Sequence, residues 1–249
     1  TAGTSNVRFG VNAGNSIASG GNYNTVVGDE AGTALTTGDN NVAIGFEALK
    51  TEDAHGKNTA IGYQALKMFN AGNHGETLAV GHAAGASLTL GLYNTAVGSG
   101  ALTIDTKGSR SVAVGTNTLN AQNFTTATDA FNVAVGAFAG TSITTGDSNT
   151  LIGALAGDAL TIGKNSVAVG KGALGSDVAG KESVAVGNGA LFAQNFSTAT
   201  NSFNVAVGSD AGAAVTTGQY NTLIGALAGD ALTDADENVA VGYNSLGTN

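Results

Sequence analysis

Two of the three histidines, with nearby carboxylates, are the side chains best suited to chemistry. His55 and His74 each lie seven residues before a glycine that recurs along the chain. Glu52, Asp53 and Glu76 lie close to them in sequence. Imidazole and carboxylate groups are ligands of transition metals, so His55 and His74 are candidates for a metal site if neighbouring turns stack. The alternative is that both are solvated turn residues.

Other patterns that would support catalysis or cofactor binding are weak. The sequence has no His-Glu-x-x-His, phosphate-loop or calcium-loop pattern. Gly170-Lys171-Gly172 fits a repeat turn better than a nucleotide fingerprint. The acidic residues are scattered through turns, whereas a hydrolase needs carboxylates clustered in a groove. The sequence therefore predicts a non-catalytic protein with no catalytic residues and no cofactor.

Composition excludes several classes of protein. The 249 residues include 39 Gly and no Cys, Pro or Trp, and the net charge is −9. An apolar fraction of 42% argues against disorder. Zero cysteines exclude disulfides and thiolate metal sites. The acidic balance argues against nucleic acid as a partner, and no apolar run is long enough to predict membrane insertion.

One short motif, Asn/Ser–Val/Thr–Ala–Val/Ile–Gly, fills the chain in 14 copies, mostly 17 residues apart. Its last glycine falls at Gly10, Gly28, Gly45, Gly62, Gly81, Gly98, Gly115, Gly136, Gly153, Gly170, Gly187, Gly208, Gly225 and Gly242. Two copies are enlarged by four residues, near 121–131 and 193–203, and they lie 72 residues apart. The repeat therefore governs the fold of the whole chain.

A 17-residue unit is too short for a helical hairpin repeat or a propeller blade. It fits one coil with two short strands and two tight turns, since Val, Ile and Thr favour strands and alternate with Ala. We expect an all-β fold, a parallel β-solenoid or β-roll of 14 coils, forming a single domain over residues 1–249. With coils about 4.8 Å apart, it would form a rod of roughly 65–70 Å.

Two internal patterns support this packing. Seven coils carry Leu four residues after the repeat glycine, as at Leu49, and the other seven carry Gly there, as at Gly32. In the Gly coils a branched apolar residue follows three positions later, as at Leu35. Each coil therefore has room for one large side chain, supplied from either position. In addition, Asn, Ser or Thr opens every motif, and stacked Asn side chains can form a hydrogen-bonded ladder.

The middle of each motif strand carries a stripe of small apolar residues. The residue before the repeat glycine, such as Ile44, is expected to point inward, which leaves the middle residue outward. Such a stripe is too large to remain exposed to solvent, so it predicts a parallel oligomer packed along it. The alternative is that the alanine face stays exposed and has no partner. The predicted interface consists of Ala43, Ala60, Ala79, Ala96, Ala113, Ala134, Leu151, Ala168, Ala185, Ala206, Leu223 and Ala240, with Val26.

The motif Asn-Thr/Ser-Val-Ala-Val-Gly followed by Ala-Leu resembles the head repeat of trimeric autotransporter adhesins, and similar arrays occur in phage tail fibres. The resemblance covers nearly the whole chain. It implies a left-handed parallel β-roll in which three chains pack side by side. The usual head repeat is shorter than the unit found here, so its turn geometry does not carry over.

The termini are in phase with the repeat. Joining the end of one chain to the start of the next gives another 17-residue step. Open solenoid ends are unpaired strand edges that invite stacking, which suggests a head-to-tail polymer. The alternative is a segment of a longer repeat protein.

Four aromatic residues mark the two enlarged coils as candidate contact loops: Phe124, Phe131, Phe196 and Phe203. They would contact a receptor, a glycan or a neighbouring fibre, or fold back over their own coils. The leading hypothesis is an extracellular structural or adhesive fibre subunit on a cell or virion surface, with itself as partner. The alternatives are a phage tail-fibre shaft or receptor-binding fibre, and an ice-binding solenoid.

Overall fold

The fold is an all-β parallel β-solenoid of about 14 coils with a 17-residue repeat, which confirms the predicted fold class. A computed structural model describes residues 3–72 and 75–247. No residue in these ranges is helical. Backbone contacts divide the chain into two compact units, residues 1–130 and 131–249. That residues 1–249 form one repeat domain stays a prediction.

The first unit contributes one three-residue strand per coil to a parallel sheet in the order β1-β2-β3-β4-β5-β6-β8, and β7 pairs with β9 beside it. Its strands are β1 (Val7–Phe9), β2 (Thr25–Val27), β3 (Val42–Ile44), β4 (Thr59–Ile61), β5 (Leu78–Val80), β6 (Thr95–Val97), β7 (Gly108–Ser109), β8 (Val112–Val114) and β9 (Thr128–Asp129).

The second unit repeats this plan in the order β10-β11-β12-β14-β16-β17-β18, with β13 paired to β15. Its strands are β10 (Val133–Val135), β11 (Thr150–Ile152), β12 (Val167–Val169), β13 (Gly180–Lys181), β14 (Val184–Val186), β15 (Thr200–Asn201), β16 (Val205–Val207), β17 (Thr222–Ile224) and β18 (Val239–Val241). β7, β9, β13 and β15 lie in or beside the enlarged coils, so within residues 3–72 and 75–247 only those regions carry the second strand expected in every coil.

The repeat glycine ends each main-sheet strand with a positive φ, a backbone conformation that residues with a Cβ rarely adopt. Gly45 has φ +128°, and a Cβ on it would lie 2.5 Å from the Gly62 carbonyl oxygen of the next coil. Backbone therefore meets backbone at this corner, and the spacing of the motif follows from it.

The wall opposite the main sheet consists of turns, and it confirms the predicted exchange of large side chains. Leu49 is fully buried although it adopts a left-handed φ of 50°. In the preceding coil Gly32 takes the same conformation, and a Cβ on it would lie 2.8 Å from Leu35 Cδ1. The strain of a left-handed leucine is offset by the apolar area it buries.

Asparagines at the start of the motif form the predicted ladder. The Asn24 Oδ1 accepts a hydrogen bond from the Asn41 backbone N–H at 2.9 Å, and Asn41 Oδ1 accepts from Asn58 N–H at 3.0 Å. Asn24 Nδ2 also donates to the Gly38 carbonyl at 2.8 Å, which fixes the turn before the next strand. One side chain thus satisfies two buried backbone groups in each such coil.

The middle residue of each main-sheet strand points into the solenoid, which corrects the predicted orientation. Ala43 is fully buried, whereas Val42 and Ile44 on either side of it remain partly exposed. Because the interior also holds the large residue of the opposite wall, mostly small side chains fit at this position. The residues predicted to face outward are instead buried within the single chain: Val26, Ala43, Ala60, Ala79, Ala96, Ala113, Ala134, Leu151, Ala168, Ala185, Ala206, Leu223 and Ala240. A lateral interface through these side chains is therefore wrong.

Candidate interaction surfaces

The surface that remains open on the main sheet consists of the first and third residues of its strands, here called the outer strand face. The third residue is Val, Ile or Phe in every strand, and the first is Val, Thr or Leu. In the second unit Ile152 and Ile224 are each 40% exposed, and Val207 is 37% exposed. No charged residue stands at these positions in the strands that the structure describes. The face is thus a periodic, uncharged and mainly apolar surface on an acidic chain.

Aromatic residues accompany the outer strand face in the first unit. Phe46, Tyr63 and His82 each follow a repeat glycine directly. Their rings stack from coil to coil, with centroids 5.5 Å apart between Phe46 and Tyr63 and 5.1 Å apart between Tyr63 and His82. This row extends the apolar surface beyond the strands.

The two enlarged coils place their aromatic residues in two different environments. Phe124 and Phe196 are each only 6% exposed, so their assignment as contact residues is wrong. Phe131 and Phe203 are 53% and 44% exposed. Phe203 stacks on Tyr220 at a centroid distance of 5.5 Å. Phe131 and Phe203 therefore stay candidate contact residues.

Buried aspartates explain why Phe124 and Phe196 fold back. Asp177 Oδ1 accepts hydrogen bonds from the Gly180 N–H at 3.0 Å and the Phe196 N–H at 3.2 Å. Asp177 Oδ2 accepts from Gln194 Nε2 at 2.6 Å. Burial raises the pKa of Asp177, although these hydrogen bonds act in the opposite direction. Asp105 holds Phe124 by the same kind of contact, at 3.1 Å. These carboxylates anchor the loops and have no solvent-facing role.

The candidate metal ligands are only partly described, because His74 lies outside the described residues. Potential ligand atoms of Glu52, Asp53 and His55 all lie within 4.8 Å of one another. Glu52 Oε1 accepts from the His55 N–H at 3.0 Å and lies 3.1 Å from His55 Nδ1. Burial raises the pKa of Glu52. These three residues could hold a cation. Their contacts also suit a carboxylate that closes a turn, as Asp177 does.

Sequence reasoning missed the burial of Glu52, Asp105 and Asp177, which are all fully buried. Each stands where the Gly-type coils carry a branched apolar residue. Their position in the repeat could have predicted this burial, because the same position belongs to the core in other coils.

Comparisons with the known protein families, with curated proteins and with solved structures found no match. No helix long and apolar enough to cross a bilayer occurs in the described part of the chain.

Proposed function

We propose that the chain is a non-catalytic structural subunit of an extracellular fibre with an adhesive role, and that its copies associate side by side through the outer strand face. The observation that supports this most is the row of outward Val and Ile residues, which a single chain leaves partly exposed. Apolar surface of this extent is characteristic of interaction sites.

The size of the outer strand face suits a protein partner. Each unit presents seven main-sheet strands of three residues. With strands about 4.8 Å apart and about 10 Å long, the face covers about 340 Å² per unit. A specific interface buries roughly 800 Å² per partner, so the proposed contact would need the outer strand face of both units.

A second copy of the chain is the partner that fits this surface best. The outer strand face repeats at every coil, and another copy offers the same spacing along its whole length. The face carries no charge, so copies of a chain with net charge −9 do not repel one another across it. The resemblance to trimeric autotransporter adhesin heads favours three parallel copies. Head-to-tail extension stays a prediction.

Mass measurement tests the proposal. We expect the 24.2 kDa chain to show about three times its own mass by light scattering coupled to size exclusion. Ile152→Lys and Ile224→Lys place a charge on the outer strand face and should yield monomers, because each would bury an unpaired charge. Ser197→Lys lies on an exposed loop and should leave the oligomer intact. A monomeric native chain at every concentration would refute the proposal.

Both alternatives share the solenoid, and only the ice-binding alternative predicts a different assay result. A phage tail-fibre shaft would self-associate in the same way, so it differs in location and not in mechanism. An ice-binding face needs ordered threonines, and none of the described strands carries two outward threonines. A thermal-hysteresis assay would detect such an activity.

A further inference from the structure

A recess in the second unit interrupts the surface formed by residues that follow the repeat glycines. Gly172 and Gly189 stand two positions after the repeat glycine in consecutive coils, and Gly175 stands five positions after it. Most other coils carry side chains at these places. The missing side chains contribute to a cavity of about 450 Å³.

Apolar groups form part of the recess. Phe192 is 51% exposed, and its ring lies over Gly172 and Gly175. Its Cδ2 atom is 3.6 Å from the position that a Cβ on Gly172 would take. Leu155, which is 39% exposed, lines the recess as well. An accessible aromatic ring beside small residues is a surface on which a flat ligand can stack.

Polar groups of both kinds converge on the same recess. The Asp210 carboxylate reaches over Gly189 from the following coil. Asp158, Lys171 and Asn188 complete the lining. Carboxylates accept hydrogen bonds, an ammonium group donates them, and an amide does both. Burial raises the pKa of Asp158, so hydroxyl donors of a ligand would reduce the cost of keeping this carboxylate charged.

We propose that this recess binds a pyranose ring of a glycan. Asp158 and Asp210 outnumber Lys171 in the lining, so an anionic ligand would be repelled, and the methylammonium control below tests a cationic one. A neutral sugar satisfies donors and acceptors together, and its C–H face covers Phe192. The volume lies within the range of small-molecule sites. The site would give the proposed fibre its adhesive contact, yet binding of one sugar does not require self-association.

The duplicated segment in the first unit shows that the recess is not a property of the coil itself. Asn117 and Asn120 stand there in place of Gly189 and Phe192, 72 residues earlier. The Asn117 side-chain oxygen occupies the space above Gly100, and Asn120 Nδ2 donates to the Gly100 carbonyl at 2.9 Å. The same corner is thus filled by two asparagines.

The duplicate also supplies the variants for a test. Gly189 has φ +64° and Asn117 has φ +52°, so the backbone angle at residue 189 accepts asparagine, and the Asp210 carboxylate, 2.3 Å from the new Cβ, would have to turn away. Gly189→Asn should fill the recess, and Phe192→Asn should remove its stacking surface. Because both changes install residues already present in the equivalent coil, we expect both variants to fold. Circular dichroism and thermal unfolding would verify this.

Binding would be screened on a glycan array and measured by saturation-transfer NMR with the methyl glycoside of the best sugar. We expect a Kd on the order of 1 mM for a single ring. Both variants should bind at least tenfold more weakly, and Ser197→Lys should bind like the native chain.

Three outcomes would overturn the inference: no methyl glycoside gives a saturation-transfer signal at millimolar concentration, Gly189→Asn binds as well as the native chain, or methylammonium binds and glycosides do not. Monomeric Ile152→Lys should still bind the sugar. Failure of the glycan site is therefore distinguishable from failure of self-association.

Discussion

The exchange of a large side chain between two positions of one coil can be tested at Gly32 and Leu35. Leu35 is 0% exposed, and a Cβ on Gly32 would lie 2.8 Å from its Cδ1 atom. The test compares Gly32→Leu, Leu35→Ala and the double variant. If one volume is shared by the two positions, the two changes should compensate each other.

The expected energies follow from the geometry. Leu35→Ala removes a fully buried side chain and leaves a cavity, at a cost of about 3 kcal/mol. Gly32→Leu costs about 1–2 kcal/mol for the left-handed backbone and a further 1–3 kcal/mol, roughly, for overpacking. In the double variant the new leucine fills the space that Leu35 vacates, as Leu49 does in the next coil. The backbone cost remains, together with the approach of the new Cβ to within 3.2 Å of Val26 Cγ1, so we expect about 3 kcal/mol instead of a sum of about 6.

Urea unfolding of the full chain, followed by circular dichroism at one protein concentration, measures these differences. Gly32→Leu combined with Leu88→Ala is the matched control, because Leu88 lies three coils away and is equally buried. That pair should be additive. A Gly32→Leu/Leu35→Ala variant destabilised by the full sum would show that the two positions do not share one volume.

Two further predictions concern a buried charge and the glycine corner. Burial raises the pKa of Asp177 above its ordinary 3.8, so the folded chain binds this proton more tightly than the unfolded chain. The stability this proton contributes is full below that ordinary pKa and is lost as pH rises through the folded pKa. Relative to Asp177→Asn, the native chain should therefore lose thermal stability as the pH rises above about 4, and a constant difference would contradict this. Gly153→Ala should cost about 3 kcal/mol or more, because its Cβ would lie 2.5 Å from the Gly170 carbonyl oxygen. Gly242→Ala has no atom within 4 Å of the new Cβ and should cost only about 1–2 kcal/mol. Equal shifts of the two thermal midpoints would mean that contact between coils is not the cause.

The interval between repeat glycines predicted the coil, because backbone contact between coils restricts which residue can stand at this position. Gly45 cannot carry a side chain against Gly62, so this residue type recurs at a fixed interval. Asn24 and Asn41 recur for a similar reason, since each satisfies backbone groups that would otherwise be buried without a partner. The structure of the opposite wall is less strictly determined by the repeat pattern. It is built from turns with left-handed residues such as Leu49, and a strand pattern does not anticipate such turns.

Inside and outside could not be distinguished from alternation alone, because Val42, Ala43 and Ile44 are all apolar. The orientation could be read from the middle residues that are not alanine, such as Leu151 and Leu223. Leu151 faces Gly157, where a Cβ would lie 2.8 Å from Leu151 Cδ2.

Leu223 faces Gly229 in the same way, at 2.7 Å. A large middle residue thus occurs where the opposite wall lacks a side chain. Such compensation in volume is expected only if both positions point into the same interior. The outward positions face no such limit within the chain. Their mainly Val, Ile and Thr character follows strand propensity, and the proposed contact between copies would bury the part that stays exposed.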